Sequence, residues 1–191
     1  MRITTGKYKG RNLERPRGIR PTQDKTRKAL FDILGDIEGL SFLELFAGSG
    51  AVGLEALSRG AGELALVERN PDCLLALKKN VEALKITQNC AIYPIDSQKA
   101  IENFHQKRKS FDMIFLDPPY YQDLAKKTLQ TLEAYDILSP NGLIVVQHFK
   151  KENLPEGPGV LTLFRQYKYG SAVLSFFEKK HVPDSDISRN I

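Results

Sequence analysis

Apolar and polar positions alternate along most of this chain in two rhythms. Near-continuous apolar runs occupy Phe42–Phe46, Leu64–Val67, Ala91–Ile95, Phe111–Leu116 and Leu143–Gln147. Runs this short, each bounded by glycine, proline or an acid, read as buried strands of a parallel sheet. Between them the apolar residues recur at helical spacing. Helices are expected over Ala51 to about Arg59, Pro71 to about Leu84, Ser97 to about Gln106 and about Gln122 to Tyr135. In the second of these, Leu74, Leu77, Val81 and Leu84 form one face. Pro71 suits a first helical position, where no N–H is needed, and Ser97 is placed to cap the third helix. Pro140-Asn141-Gly142 reads as a turn into the fifth strand. Strand and helix in strict alternation predict an α/β fold, a mostly parallel sheet with helices on both faces.

The rhythm changes at both ends. After Lys151, Pro155–Gly159 is a loop, and Val160–Tyr167 and Ala172–Phe177 read as an antiparallel pair turned at Gly170. Upstream, Arg2–Thr5 and Tyr8–Leu13 read as short strands of a small hairpin-like unit, and Glu14–Pro21 as a loop. Thr22 caps a helix to about Leu34, with Ala29, Leu30, Ile33 and Leu34 inside and Lys25, Arg27 and Lys28 outside. The expected organisation is a basic extension over residues 1–38, a main domain over 39–180 and a polar tail over 181–191.

Charge sharpens this division. The net charge is +5, yet Met1–Lys28 alone carries ten Lys and Arg against Glu14 and Asp24, so the remainder is mildly acidic. The positives Lys7, Lys9, Arg11, Arg15, Arg17 and Arg20 alternate with Gly, Tyr and Pro and follow no helical face. That pattern fits contacts along a nucleic-acid backbone; a merely solvated basic segment is the plainer reading. No apolar run approaches a membrane span, and MRITTGKYKG has no apolar core behind it, so it does not read as a signal peptide. A cytoplasmic protein is expected, with Cys73 and Cys90 reduced packing residues. Neither cysteine shares metal-ligand spacing with His105, His148 or His181, so no metal site is expected.

The chemistry-bearing residues cluster at the ends of the expected strands. Phe111–Leu116 stops at Asp117-Pro118-Pro119-Tyr120. Proline fixes its own φ and holds the preceding residue extended. Asp117 is thereby pinned at a strand end, where open α/β sheets bind ligands. Asp117 and the Pro118 carbonyl can accept two N–H bonds from an exocyclic amine, and Tyr120 can stack on the base that carries it. Asp and Pro are also ordinary turn residues. At roughly 5% usage per residue type, however, this tetrapeptide arises by chance in about one chain in a thousand of this length.

Gly48-Ser49-Gly50 follows one strand and opens a helix, where free N–H groups and a bare backbone admit a ligand. With Gly53 the string satisfies G-x-G-x-x-G, so a nicotinamide enzyme competes with a methyl-donor enzyme. Glu68 ends the second strand and suits ribose hydroxyls. Asp96 ends the third and suits an adenine amine or nothing at all. Glu44, on the same strand face as Phe46, either orients the glycine loop or meets a ligand ammonium. His148, just past the fifth strand, either lines the cleft or, the readier reading, is a surface histidine.

Phe46-x-Gly48-x-Gly50, Glu68, Asp96 and Asp117–Tyr120 together resemble class I S-adenosylmethionine-dependent methyltransferases that modify exocyclic amines. The DPPY motif is shared with DNA adenine methylases and does not choose a substrate. GKYKGRNL at Gly6–Leu13, RPTQDKTRKALFDIL at Arg20–Leu34 and LELFAGSGAVGLEALSRGA at Leu43–Ala61 are more specific. They are similar to the RsmD-type bacterial 16S ribosomal RNA guanine methyltransferases, over about Met1–Lys180. One departure is Glu44, where relatives commonly carry Asp.

The resemblance implies a seven-stranded class I fold and methylation of a guanine 2-amino group in the small ribosomal subunit or a late assembly intermediate; a monomer is expected. It implies catalysis by Asp117, Pro118 and Tyr120, and S-adenosylmethionine held by Glu44, Phe46, Gly48, Gly50, Glu68 and Asp96. Pro119 and the basic arm would contact RNA. The alternatives are an adenine amino-methyltransferase and a non-enzymatic RNA-binding assembly factor.

Overall fold

Each expected apolar run forms a strand in a computed structural model of the chain, which describes residues 1–16, 24–120, 123–155 and 159–180. The strands are β1 (Ser41–Leu45), β2 (Glu63–Val67), β3 (Cys90–Tyr93), β4 (Phe111–Leu116), β5 (Leu138–Phe149), β6 (Leu161–Tyr169) and β7 (Ala172–Lys179). The helices are α1 (Asp24–Leu34), α2 (Ala51–Ser58), α3 (Pro71–Ala83), α4 (Ser97–Gln106) and α5 (Leu124–Ala134). One seven-stranded sheet results, ordered β3-β2-β1-β4-β5-β7-β6. The first five strands pair in parallel. β7 runs antiparallel between β5 and β6, turning at Gly170.

The period-two alternation of each strand separates two cores. Phe42, Leu64, Leu66, Phe115 and Val145 face α1, α2 and α3, meeting Leu30, Phe31, Val52, Leu54 and Leu77. Leu43, Leu45, Val67, Ile114, Leu116 and Val146 face α4 and α5, meeting Ile101, Phe104, Leu129 and Leu132. Each such fully buried side chain contributes about 1.5–3 kcal/mol from burial alone. The chain winds outward from β1 to β3, then crosses back to β4. This reversal leaves a crevice at the carboxyl ends of β1 and β4, the place where open α/β sheets bind ligands.

Several local expectations are corrected. β5 begins at Leu138, so Pro140-Asn141-Gly142 is a bulge within it and not a turn before it. Phe111 pairs with Leu138, but Met113 already pairs with Leu143. Ser97 does not cap α4; Asp96 does, accepting from the Gln98 N–H at 2.9 Å. The N-terminal strands reduce to a single bridge, Arg2 to Asn12. The Thr22 cap, Arg17, Arg20 and the tail lie outside the described residues. Cys73 and Cys90 are both free, and burial pushes each thiol up to about 11. Among the described residues, no helix is long and apolar enough to cross a membrane.

The basic arm is tied down by α2. Glu55, fully buried, accepts the N–H groups of Thr4 (2.8 Å) and Thr5 (3.1 Å), the Thr4 hydroxyl (2.6 Å) and Arg59 Nε (3.0 Å). Ser58 accepts the Tyr8 N–H and donates to the Thr5 carbonyl. Gly6 must be glycine: its φ is +80° and a Cβ would stand 1.7 Å from the Ser58 carbonyl oxygen. Arg27, expected outside, is fully buried beneath this arm. It donates to the Arg2 carbonyl at 2.7 Å and lies 3.7 Å from Glu55 and 3.1 Å from Asp24. Ile3 and Leu13 consequently share one buried cluster with β1 and α2.

Glu55→Ala leaves the buried Arg27 with only the exposed carboxylate of Asp24 as counter-ion and several arm donors unpaired. It should cost about 3–5 kcal/mol, read as a lowered urea midpoint; a loss below ~1 kcal/mol would show that the arm is held by other means.

Candidate active site

Strand β1 ends in a strained turn. Phe46 has φ +61°, a left-handed conformation that a bulky side chain adopts only when its surroundings impose it. Gly48 (φ +55°) and Gly50 (φ +74°) follow, and the Gly50 N–H closes the turn on the Ala47 carbonyl at 2.7 Å. Beside Gly48 lies open space, whereas a Cβ on Gly50 would stand 2.4 Å from Leu77 Cδ1. The turn therefore exposes bare backbone above α2 and packs tightly below it.

Two carboxylates fix this turn from underneath and from the side. Glu44, 3% exposed, accepts the Gly53 N–H at 2.8 Å. It thus orients the loop, the first of the two roles expected for it, as a buried cap on a helix whose Gly50 N-cap provides no side-chain bond. Desolvation raises its pKa from 4.5 to about 8, opposed by the Gly53 and Val52 N–H groups and assisted by the charges of Asp117 and Glu68. Glu68 Oε2 accepts the Gly48 N–H at 2.7 Å, while Oε1 accepts those of Arg69 and Asn70, each at 2.8 Å. A carboxylate offers about four lone-pair sites, so room remains for one further donor with these three in place.

Asp96 caps α4 and pairs with Arg69 at 3.0 Å, on the exposed rim. Asp117 ends β4 half-buried, Pro118 is buried and Pro119 is exposed. The Tyr120 ring lies against Phe149 with centroids 5.7 Å apart. The β1–β4 pairing of Leu45 with Leu116 sets Asp117 alongside the glycine turn. Glu44, Phe46, Gly48, Gly50, Glu68 and Asp117 thus gather at one crevice, with Asp96 at its edge.

Three features of the site or its support are missed or misplaced by the sequence pattern. Gln147, 5% exposed on β5, donates from Nε2 to Asp117 Oδ1 at 3.0 Å. Its signal was a polar residue closing the apolar run Leu143–Val146. Asn80 of α3, 1% exposed, accepts the Glu14 N–H at 2.6 Å and donates to the carbonyls of Glu14 and Ser49. It binds the basic arm to the glycine turn and brings Arg15 near the crevice. His148 is not on the surface but 3% exposed, held by Ser175 at 2.8 Å and the Phe149 carbonyl at 3.1 Å. Burial lowers its pKa, and Ser175 in turn accepts from Gln166. Lys7, Lys9 and Arg15 are exposed on the arm; Arg11 is exposed too and donates to the Ala83 carbonyl at 2.6 Å.

The sheet order and the motif-bearing strand ends define a class I methyltransferase. The chain belongs to the family described as conserved hypothetical protein 95, whose model matches residues 1–178. It is 35% identical over 183 residues to the putative rRNA methyltransferase YlbH of Bacillus subtilis, covering 94% of this chain and all of that protein. It is 33% identical over 189 residues to ribosomal RNA small subunit methyltransferase D of Escherichia coli strain K12, covering 97% of this chain and 93% of that one. Among solved structures it superimposes on the putative methyltransferase yhhF of Escherichia coli with a TM-score of 0.83 at 33% identity, covering 94% and 98% of the two chains. The resemblance read from the N-terminal motifs is thereby established, and the nicotinamide alternative falls. Electrostatics agree: Asp117 and Glu68 flank the turn, a poor setting for a pyrophosphate.

Glu44 makes stability pH-dependent. Its folded pKa of about 8 exceeds the unfolded 4.5. Its contribution is complete below the unfolded value and is lost as pH rises through the folded one. Wild type should therefore lose on the order of 4 kcal/mol more than Glu44→Gln between pH 5 and pH 8.5. Urea unfolding at the two pH values measures this, and parallel losses would contradict it.

Proposed function

We propose that this enzyme uses S-adenosylmethionine to methylate the exocyclic 2-amino group of one guanine in 16S ribosomal RNA. Its substrate is the small subunit or a late assembly intermediate, and it acts as a cytoplasmic monomer. The observation that carries this reading is the juxtaposition of Asp117, pinned by Pro118, with the glycine turn of β1. Membership of the family and the names of its relatives support the RNA substrate.

The donor set suits the cofactor. S-adenosylmethionine is a cation on its sulfur and its ammonium, and the crevice supplies the Glu68 carboxylate with Glu44 beneath. Glu68 has one acceptor site to offer a ribose hydroxyl, the turn N–H groups and open backbone at Gly48 adjoin it, and Asp96 lies at the rim for the adenine. Phe46 walls the turn. Bound there, the cofactor supplies a methyl group on a sulfonium centre.

The chain's own residues prepare the nucleophile. A guanine 2-amino lone pair is delocalised into the ring, which makes it a poor attacker. Hydrogen bonds from that amine to Asp117 and to the Pro118 carbonyl favour a tetrahedral nitrogen whose lone pair is free. As positive charge arrives on nitrogen, these acceptors stabilise it, and Asp117 takes the proton that nitrogen sheds. Holding both partners in line supplies much of the rest. The base leaves its stack to enter, and stacking on Tyr120 returns about 1–3 kcal/mol of that cost. Lys7, Lys9, Arg11, Arg15, Arg17 and Arg20 hold phosphates, with Pro119 against the RNA. Arg15 follows Glu14, which Asn80 fastens beside the turn.

Incubation with labelled S-adenosylmethionine and small subunits from a strain lacking the activity should place label in 16S RNA. Asp117→Ala should abolish it, a loss of at least ~10³-fold, while cofactor affinity changes little. Label in DNA but not RNA, or an active Asp117→Ala, would overturn the reading. Lys7→Ala and Lys9→Ala should each weaken subunit binding and lower its salt slope by about 0.7–1. An unchanged slope would remove the arm from the interface.

A further inference from the structure

Strand β5 brings a buried amide to the reacting carboxylate. Leu116 pairs with Val146, so the next residues lie side by side, Asp117 just past the end of β4 and Gln147 still within β5, where it pairs with Leu174 of β7. Gln147 Nε2 donates to Asp117 Oδ1 at 3.0 Å. An ionised carboxylate only accepts, which fixes the amide with its nitrogen toward Asp117. Oε1 is then the atom left over. It is buried and has no hydrogen-bond partner among the described residues. A buried acceptor without a donor is costly, and its persistence beside a reacting group calls for an explanation.

The chemistry of the base supplies one. Guanine presents two adjacent donors on its Watson–Crick edge, the 2-amino group and N1–H. A carboxylate beside an amide oxygen is a pair of adjacent acceptors. Adenine presents a lone pair at N1, which would face Oε1 with like polarity. We propose that Gln147 selects guanine: Nε2–H holds Asp117 in register, and Oε1 accepts N1–H of the flipped base while Asp117 accepts from the 2-amino group. The inference rests on the proposed substrate and deepens it. Oε1 is covered in the free enzyme, so this contact requires its cover to shift as the base enters. Once it has formed, Gln147 Oε1 is satisfied, and the amine is fixed in one rotation about its bond to the ring. Gln147 is therefore a specificity-determining and positioning residue, acting on the base directly and on the amine through Asp117.

The test separates this role from simple support of Asp117. Small subunits are reconstituted with 16S RNA carrying either guanine or 2-aminopurine at the mapped position. 2-Aminopurine keeps the 2-amino group but has a lone pair at N1. Wild type should favour guanine in kcat/KM by on the order of a hundredfold or more. In Gln147→Met the two substrates should converge to within about tenfold, mainly through loss on guanine. Misplacement of Asp117 or damage to the fold lowers both rates together and leaves the ratio intact. An unchanged ratio in the variant overturns the inference while the functional reading stands. So does a wild-type enzyme indifferent to the two bases, which needs no variant at all. Failure of wild type to label guanine-containing subunits would remove the functional reading and this inference with it.

Discussion

Carboxylates bound to backbone N–H groups hold this active site in shape. The turn after β1 carries three left-handed residues, Phe46 among them, and would not keep that form alone. Glu44 takes the Gly53 N–H from below, and Glu68 takes the Gly48 N–H from the side. Both acids come from strand ends on the same sheet, so the sheet sets the turn's geometry before any ligand arrives. Burying Glu44 is expensive, as its raised pKa records. That cost is spread over two well-packed cores and yields a preorganised crevice, to which Glu68 and Asp117 bring the negative charge.

The same device is repeated one layer out. Glu55 is also a buried acid on α2, and it collects the N–H groups of the basic arm as Glu44 collects one from the helix itself. Asn80 then fastens the end of that arm to the glycine turn through Ser49. The arm and the glycine turn are in this way held together by α2 and α3. Asp117 stands on the opposite wall, on β4, steadied by Gln147 from β5. The crevice lies between these two supports.

The sheet and its strand ends were legible because they are local. Asp117 is placed by Pro118 and by the apolar run before it, and Gly48–Gly50 by the strand-to-helix transition. Phase and strand boundaries held within one or two residues for β1, β2 and β4. What stayed hidden depended on contacts far apart in sequence. Arg27 looked like a surface cation on its helix, and only the arm folding back through Glu55 buries it. His148 looked exposed at a strand end, but β7 inserts between β5 and β6 and covers it with Ser175. The bulge in β5 arises from pairing with β4, which a Pro-Asn-Gly string cannot reveal by itself. Asn80 and Gln147 are ordinary amides until the strands and helices that flank them are in place.

A crystal structure with S-adenosylhomocysteine bound tests the central claim most directly. The account predicts the sulfur seated over the Gly48 turn, with the Asp117 carboxylate facing it across a gap the width of a purine amine. A sulfur at the other end of the sheet, or an Asp117 side chain turned away into the core, would contradict it.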